Sequence, residues 1–129
     1  MIVGIGNDII SVNRIRKLLA KNKDSFLQRI LSERERNIFA GVNSDKVAGY
    51  IANRFAAKEA FSKALGTGIG KDVSFKDIEI LKTLRGKPYF EFSFKMKEFF
   101  RNNYGDNIKA HLSMSDEIEY AQAFVVIES

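Results

Sequence analysis

The sequence predicts an α+β fold in which a long central helix packs against an antiparallel sheet, within one compact domain covering residues 1–129. Helical patterns and strand patterns occupy separate blocks of the chain, which is typical of this class. Of the 129 residues, 45% are hydrophobic and 11 are Phe, which is enough for one modest core. No linker, internal repeat or low-complexity segment interrupts the chain.

The N-terminal part predicts a strand followed by helical segments. Residues 2–10 are rich in branched side chains and predict a buried strand, in which Gly4 and Gly6 permit another backbone or a ligand to approach closely. Apolar residues then recur at helical spacing over residues 12–20. Residues 26–31 form a further helical stretch. We therefore expect one strand and two helical stretches in this part.

Capping signals delimit two more helices. Ser32 and Glu35 form a capping box that opens a short helix, and Gly41 can end it. The central helix is expected to start near residue 44 or 45 and to run for about five turns to Gly66. Alternating glycines follow its end, and we expect them to present open backbone donors.

The C-terminal half predicts strand pairs around one more helix. In chain order the segments are a strand at residues 77–83, a strand at 88–94, a helix at 94–104 closed by Gly105, and strands at 108–114 and 119–127 separated by residues 115–118. Short connections favour antiparallel hairpins. Pro88 suits the start of its strand because it has no amide hydrogen to donate to a neighbour.

The composition excludes several kinds of site. The chain has no Cys, so disulfides, thiolate metal sites and cysteine nucleophiles are absent. His111 is the only His, and a zinc site built on imidazoles needs more, so any metal would be a hard cation such as Mg²⁺ held by carboxylates. No apolar run approaches the about 20 residues of a membrane span. We expect a soluble cytoplasmic protein.

The net charge of +5 favours acidic partners. Nucleic acid, anionic lipid, a polyphosphate ligand and an acidic protein all fit this charge, although the Phe-rich aromatic content shows no RNA-binding signature and makes nucleic acid a fallback. The first helix is basic on its outward side, where Arg14, Lys17 and Lys21 lie. The solvated side of an amphipathic helix would look the same.

The central helix carries charged residues beside its apolar positions. Glu59 follows Ile51 and Phe55 at four-residue spacing, so we expect it to point inward or into a crevice. Together with Lys63 and the glycines at 66–70 it makes a sensible site for a metal and a phosphate. Glu at i and Lys at i+4 also form a common helix pair that contributes about 0.2–0.5 kcal/mol, and spacing alone leaves both interpretations open.

Other motifs have structural alternatives. Asp8 interrupts an apolar strand, so it is either a cation ligand or the start of the turn into the first helix. Gly4-Ile-Gly6 lacks the third glycine of a dinucleotide fingerprint, and residues 66–71 lack the first Gly and the Ser or Thr of a P-loop. A single histidine in a strand, such as His111, is more often structural than catalytic.

Several motifs in combination resemble the holo-acyl-carrier-protein synthases, which are phosphopantetheinyl transferases. The motifs are Gly-Ile-Gly-Asn-Asp at 4–8, Arg-Phe-Ala-Ala-Lys-Glu-Ala-Phe-Ser-Lys-Ala at 54–64, Gly-Thr-Gly-Ile-Gly at 66–70, Gly-Lys-Pro at 86–88, His-Leu-Ser-Met-Ser at 111–115 and Glu-Tyr-Ala at 119–121. They occur in order over nearly the whole chain, and the central helix motif is the most specific of them.

The resemblance implies an activity. Members of this family move the phosphopantetheine arm of coenzyme A, their substrate, to a serine of apo acyl carrier protein, and release adenosine 3′,5′-bisphosphate in a Mg²⁺-dependent reaction that serves fatty acid biosynthesis. By motif position, Asp8 and Glu59 match the metal-binding carboxylates, and Lys63 matches the lysine beside the reacting pyrophosphate. Glu59 is also the leading candidate for the base, acting directly or through water.

The resemblance also implies binding residues and an assembly. The implied coenzyme-binding residues are Arg54, Lys63, Gly66, Gly68, Pro88 and His111. The implied carrier-docking residues are Arg14, Lys17 and Lys21. The family is typically a homotrimer with active sites between subunits. One position departs from the family pattern, because Asp116 stands where relatives usually carry a second His, and an acidic side chain there would repel a phosphate.

Overall fold

The computed structural model describes residues 1–129 and contains two antiparallel sheets, one of three strands and one of two. The strands are β1 (Ile2–Ser11), β2 (Ile78–Lys82), β3 (Pro88–Phe92), β4 (Lys109–Asp116) and β5 (Tyr120–Glu128). The α-helices are α1 (Val12–Ile30), α2 (Glu33–Phe39), α3 (Val47–Leu65) and α4 (Phe94–Tyr104), with 3₁₀ turns at Ser44–Lys46 and Phe75–Asp77. The strand order is β1-β5-β4 in one sheet and β2-β3 in the other. The α+β prediction is confirmed.

The central helix α3 lies directly on the inner face of the three-stranded sheet, and glycines make this contact possible. A Cβ placed at Gly4 would lie 1.9 Å from the carbonyl oxygen of Ala64, and one at Gly6 would lie 1.8 Å from that of Ala60. The predicted close approach is therefore made by a helix backbone. Because Asp8 follows two residues after Gly6 on the same face of β1, this packing also brings Asp8 against α3.

Helix α1 is longer than predicted. The two predicted helical stretches form one helix that bends at Asn22, whose φ of −160° and ψ of 69° are not helical. Burial of Leu27 and Ile30 holds the second part in place although the bend interrupts the helical backbone. The basic side chains at Arg14 and Lys17 lie on the exposed side, as predicted.

The predicted buried character of β1 is wrong for one of its faces. Ile5 and Ile9 point away from α3 and are 61% and 63% exposed. Phe124 on the neighbouring β5 is 46% exposed on the same side of the sheet. This outer face therefore leaves apolar side chains uncovered in the isolated chain.

The β4–β5 hairpin is tighter than predicted. Asp116 still pairs with Ala121, so β4 continues through residues that were expected to form the loop. The connection is limited to residues 117–119 and is closed by a hydrogen bond from the Glu117 amide to the Tyr120 carbonyl. Ladder pairing holds the polar residues Ser115 and Asp116 in the strand in spite of their turn preference.

Phenylalanines join α3 to the second sheet and to α4. Phe61 of α3 packs against Phe90, Phe92 and Phe100, with ring centroids 5.0–6.0 Å apart. Such aromatic contacts add to the free energy gained by burying the rings. None of the helices combines the length and the apolar character that crossing a membrane requires.

Candidate active site

Asp8, Glu59 and Lys63 come together where β1 crosses α3. Lys63 Nζ donates to Asp8 Oδ1 at 2.8 Å and to the Asn7 carbonyl at 3.2 Å. Glu59 lies one helical turn before Lys63 and close enough to Asp8 for the two carboxylates to interact. The common Glu59–Lys63 helix pair is not formed, because Lys63 is paired with Asp8. The site interpretation is therefore favoured over the simple helix pair.

The surroundings of Glu59 oppose its ionisation. Glu59 is half-buried, and burial raises the pKa of its carboxyl, while the nearby negative charge of Asp8 raises it further. Cationic side chains partly reverse this shift of the pKa; they belong to Lys63, Arg14 and Arg29. A cation placed between Glu59 and Asp8 would relieve their repulsion.

The donor set at this site fits Mg²⁺. Two carboxylates supply the oxygen ligands that Mg²⁺ prefers, and Mg²⁺ is usually bound through one or two carboxylates with waters and substrate phosphates completing its shell. The chain offers no group of three or more His, Cys, Asp or Glu side chains that could form a closed metal cage. Lys63 lies at the rim with 52% of its side chain exposed, where it can also reach an anion.

The glycine-rich exit of α3 differs from the prediction of open backbone donors. Gly66 has a φ of 79°, caps α3 and donates its amide to the Lys63 carbonyl. The amides of Thr67 and Gly68 both donate to the Ser62 carbonyl at 3.2 Å, and the Gly70 amide donates to Val73. These four amides are therefore occupied within the chain. Any anion contact by this loop has to come from its other groups.

The remaining predicted coenzyme residues are not near Glu59 in a single chain. Asp8 faces α3, whereas His111 lies on the outer face of the same sheet, with Nε2 3.6 Å from Glu128 Oε2. Pro88 begins β3 in the other sheet. Arg54 is five residues before Glu59, about 140° away around α3. His111 and Arg54 of one subunit therefore face away from the side where Asp8 meets Glu59.

Arg54 lies in a region of α3 that holds unpaired polar atoms. Its residue is only 4% exposed, and its guanidinium carbon lies 3.5 Å from the centre of the Tyr50 ring. Arg54 Nε, the Tyr50 hydroxyl and Asn53 Oδ1 are buried without hydrogen-bond partners. Burial lowers the pKa of Arg54 and raises the pKa of Tyr50. An anion reaching Arg54 would find a cation that nothing in the chain neutralises directly.

A concavity of about 620 Å³ adjoins this region, at the start of α1 and the tip of the β4–β5 hairpin. Tyr50 lines it, and Tyr50 and Glu59 are nine residues apart, so they lie on opposite sides of α3. Asp116 also lines the concavity, together with the basic side chains of Arg16 and Lys46. Asp45 and Glu117 line it as well, so two cations face three carboxylates and offset the acidic charge at position 116 only in part.

Two buried ionisable residues were missed from the sequence. Lys58, inside the central helix motif, is fully buried and pairs with the equally buried Glu35. A signal for Lys58 does exist, because it stands seven residues from both Ile51 and Leu65 and so continues a buried stripe of α3. For Glu35, the capping box predicts a hydrogen bond between its side chain and the backbone, but it does not predict that the side chain is buried.

Known proteins with similar sequences belong to the family that the motifs resemble. Residues 4–125 match the 4′-phosphopantetheinyl transferase superfamily. The holo-[acyl-carrier-protein] synthase of Ruthia magnifica is 51% identical over 130 residues, which cover 100% of this chain and 98% of the relative. That of Bacillus thuringiensis is 50% identical over 129 residues, with the same coverage.

Solved structures agree with these relatives. The crystal structure of holo-[acyl-carrier-protein] synthase from Neisseria meningitidis has a TM-score of 0.92 and 43% identity, covering 100% of both chains. The Bacillus anthracis enzyme in complex with CoA (3′,5′-ADP) has a TM-score of 0.84 and 49% identity, covering 100% of this chain and 98% of that one. The chain therefore belongs to the holo-[acyl-carrier-protein] synthase family of phosphopantetheinyl transferases, as its motifs predicted.

Proposed function

We propose that the chain transfers the 4′-phosphopantetheine group of coenzyme A to a serine of apo acyl carrier protein, in a Mg²⁺-dependent reaction of fatty acid biosynthesis. The products are holo acyl carrier protein and adenosine 3′,5′-bisphosphate. The observation that carries this proposal is the meeting of Asp8, Glu59 and Lys63 at the crossing of β1 and α3. Two holo-[acyl-carrier-protein] synthases whose sequences are 51% and 50% identical to this chain also support it.

The residues of the site have distinct parts in this reaction. The serine oxygen forms a bond to the phosphorus that bears pantetheine, the bridging P–O bond breaks, and its electron pair leaves with adenosine 3′,5′-bisphosphate. Glu59 accepts the serine proton, directly or through a water, and Lys63 places positive charge beside the pyrophosphate. Mg²⁺ held by Asp8 and Glu59 would neutralise phosphate charge. Arg54, Gly66, Gly68, Pro88 and His111 remain proposed coenzyme contacts.

We also propose a homotrimer with its active sites between subunits. The outer sheet face exposes Ile5, Ile9 and Phe124 together, and exposed apolar patches mark interaction sites. His111 lies on this outer face, whereas Asp8 lies on the inner one. A coenzyme bound through Mg²⁺ at the carboxylates of one subunit would therefore contact His111 of a neighbouring subunit. Closed symmetric assemblies are the usual form of soluble homo-oligomers.

Mass spectrometry tests the proposed transfer directly. The protein is incubated with apo acyl carrier protein, coenzyme A and Mg²⁺, and the carrier should gain the mass of one phosphopantetheine group. Reactions without coenzyme A and reactions with a chelator serve as controls. The rival function is an anion-binding or nucleic-acid-binding module, supported only by the net charge of +5. An unmodified carrier at every enzyme concentration would favour that rival.

Replacing Lys63 with Ala is expected to have opposite effects on turnover and on metal affinity. We expect kcat to fall on the order of 100-fold, with a smaller effect on coenzyme binding, since the Lys63 charge matters most as phosphate charge develops. Without coenzyme, Mn²⁺ should bind about 30-fold more tightly, because a single positive charge about 4 Å from a divalent cation costs about 2 kcal/mol even in water-like surroundings. Calorimetry and single-turnover kinetics measure the two effects.

The matched control for Lys63 is Lys71→Ala, which removes an exposed lysine from the nearby loop. This variant should change neither quantity much. An unchanged chemical step in Lys63→Ala would reject its role at the pyrophosphate. Unchanged Mn²⁺ affinity would show that the Asp8–Lys63 pair does not compete with a cation.

Reversing the charge of Arg14 is expected to weaken docking of the carrier protein. Arg14→Glu should raise KM for apo carrier protein and flatten its salt dependence, because exposed interface charges act mainly on encounter and are screened within about 8–10 Å. Arg14 also acts on the pKa of Glu59, so part of its effect could arise at the active site. Lys21 is not among the charges that act on the pKa of Glu59, so Lys21→Glu measures the docking effect alone.

Coenzyme A affinity supplies the other half of this test. It should stay nearly unchanged in Lys21→Glu, and Lys97→Glu on α4 controls for the altered net charge. Equal losses for carrier and coenzyme, or no loss for either, would rule out this face of α1 as the docking surface.

A further inference from the structure

The Lys58 ammonium and the Glu35 carboxylate are fully buried charges that the proposed reaction does not use. Lys58 Nζ donates to Glu35 Oε1, to the Ile30 carbonyl at 2.7 Å and to the Phe75 carbonyl at 3.0 Å. An ammonium has three donors, so all three are used. Burial lowers the pKa of Lys58, and the charge of Glu35 opposes this shift.

The Glu35 carboxylate is equally well satisfied. Its Oε2 accepts a hydrogen bond from the Ile80 amide at 3.0 Å, in strand β2. Its Oε1 accepts from the Ser32 amide at 3.0 Å, which completes the capping box of α2. The buried network made by Lys58 and Glu35 therefore ties α3 to four other segments of the chain. Fully satisfied networks of this kind rigidify the structure around them.

The segments that Lys58 joins are those that the proposed function needs in fixed positions. Ile30 is the last residue of α1, and the proposed docking residues lie on the other part of this helix, before its bend at Asn22. Phe75 follows the glycine-rich loop at residues 66–70, a proposed coenzyme contact. Lys58 itself immediately precedes Glu59. One side chain thus links the docking helix and the coenzyme loop to the turn of α3 that carries the proposed base.

Stability alone is a poor explanation for this pair. Replacing a buried ion pair with apolar residues of similar size is often neutral or stabilising, whereas removing one partner is strongly destabilising. An apolar pair could hold the core together, but it would not accept or donate the hydrogen bonds to Ile30, Phe75 and Ile80. What the ion pair adds is therefore a fixed geometry between segments.

We infer that Lys58 is a positioning residue, which acts through Glu35 and two backbone carbonyls to hold the docking helix and the coenzyme loop in register with Glu59. This inference rests on the proposed function. Misplacement by a fraction of an ångström reduces the rate of an enzyme even when every reacting group is present. A positioning role therefore predicts changed kinetic constants in a folded variant, whereas a purely structural role predicts a change in stability alone.

The test is the double variant Glu35→Met with Lys58→Met. It removes both charges together, so that neither is left unpaired, but it leaves the backbone groups of Ser32, Ile30, Phe75 and Ile80 without these partners and should lower Tm. We expect KM for apo carrier protein and KM for coenzyme A to rise about tenfold each. Amide hydrogen exchange should be faster in residues 27–31 and 66–75 and unchanged in the middle of β5. Ile127→Val, a core substitution outside the network, should lower Tm and leave both KM values unchanged.

The outcomes distinguish this inference from the proposed function. A double variant with wild-type KM values and exchange rates would overturn the positioning role, whatever the activity of the enzyme. If the double variant does not fold, Glu35→Gln with Lys58→Met replaces it, because it leaves no unpaired charge, keeps an acceptor for the Ser32 amide and removes the donors to Ile30 and Phe75. Unchanged exchange in both segments of that variant would also overturn the role. If the wild type itself does not modify the carrier, the proposed function fails, and the exchange measurements still decide whether Lys58 orders these segments.

Discussion

Replacing Glu59 with Gln is expected to abolish Mg²⁺-dependent transfer while the fold is retained. Gln has the same shape, but it cannot take the serine proton and is a weak ligand for Mg²⁺, so kcat/KM should fall by about 1,000-fold or more. Removing the charge also removes the repulsion with Asp8 and the cost of partly burying a carboxylate, so Tm should stay equal or rise. Single-turnover mass spectrometry and thermal unfolding measure the two results.

Asp8→Ala should have the same effect on transfer, because it removes the second proposed ligand. Glu33→Gln is the matched control, since Glu33 is exposed at the start of α2 and should leave the rate unchanged. A folded Glu59→Gln variant with near wild-type turnover at limiting Mg²⁺ would contradict both roles assigned to Glu59.

Placing a charge on the outer sheet face is expected to dissociate the proposed trimer and to remove activity. Phe124 lies on the middle strand of the three-stranded sheet and points away from α3, so Phe124→Glu should leave the subunit core intact. An unpaired carboxylate buried between subunits is strongly unfavourable. We expect monomers by sedimentation velocity and at least about 100-fold lower transfer, because interactions from the neighbouring subunit would be lost.

Phe94→Glu is the matched control for this change. Phe94 is another exposed aromatic residue, on α4 and outside the outer face, so the same substitution there should preserve both assembly and activity. A wild-type protein that is monomeric and active, or a monomeric Phe124→Glu variant with unchanged transfer, would reject active sites between subunits.

Local features of the fold could be predicted because the responsible residues are close in sequence. The capping box of α2 needs only Ser32 and Glu35, and both of its hydrogen bonds are present. The end of α3 needs a residue that adopts a positive φ, and Gly66 does so at 79°. The grouping of Asp8 with Glu59 and Lys63 was anticipated from the family resemblance, because spacing alone left a structural alternative open for each of them.

Features that depend on competition between segments could not be predicted in this way. The glycine-rich loop looked rich in free donors, but the carbonyl of Ser62 takes the amides of Thr67 and Gly68. The second part of α1 continues past the bend at Asn22 because Leu27 and Ile30 are buried against other elements. In both cases the outcome depends on which partners lie nearby, and a sequence pattern does not contain that information.

The sequence by itself determined the class of fold, the start of α2, the end of α3 and the residues available for metal and phosphate chemistry. Each of these follows from spacing and from the properties of single residues. Only the tertiary structure decided that Lys63 pairs with Asp8, that Lys58 pairs with Glu35 across 23 residues, and that His111 faces away from Asp8. The physical reason is that an ion pair or a sheet face is defined by distance in space, and packing alone brings these distant residues together.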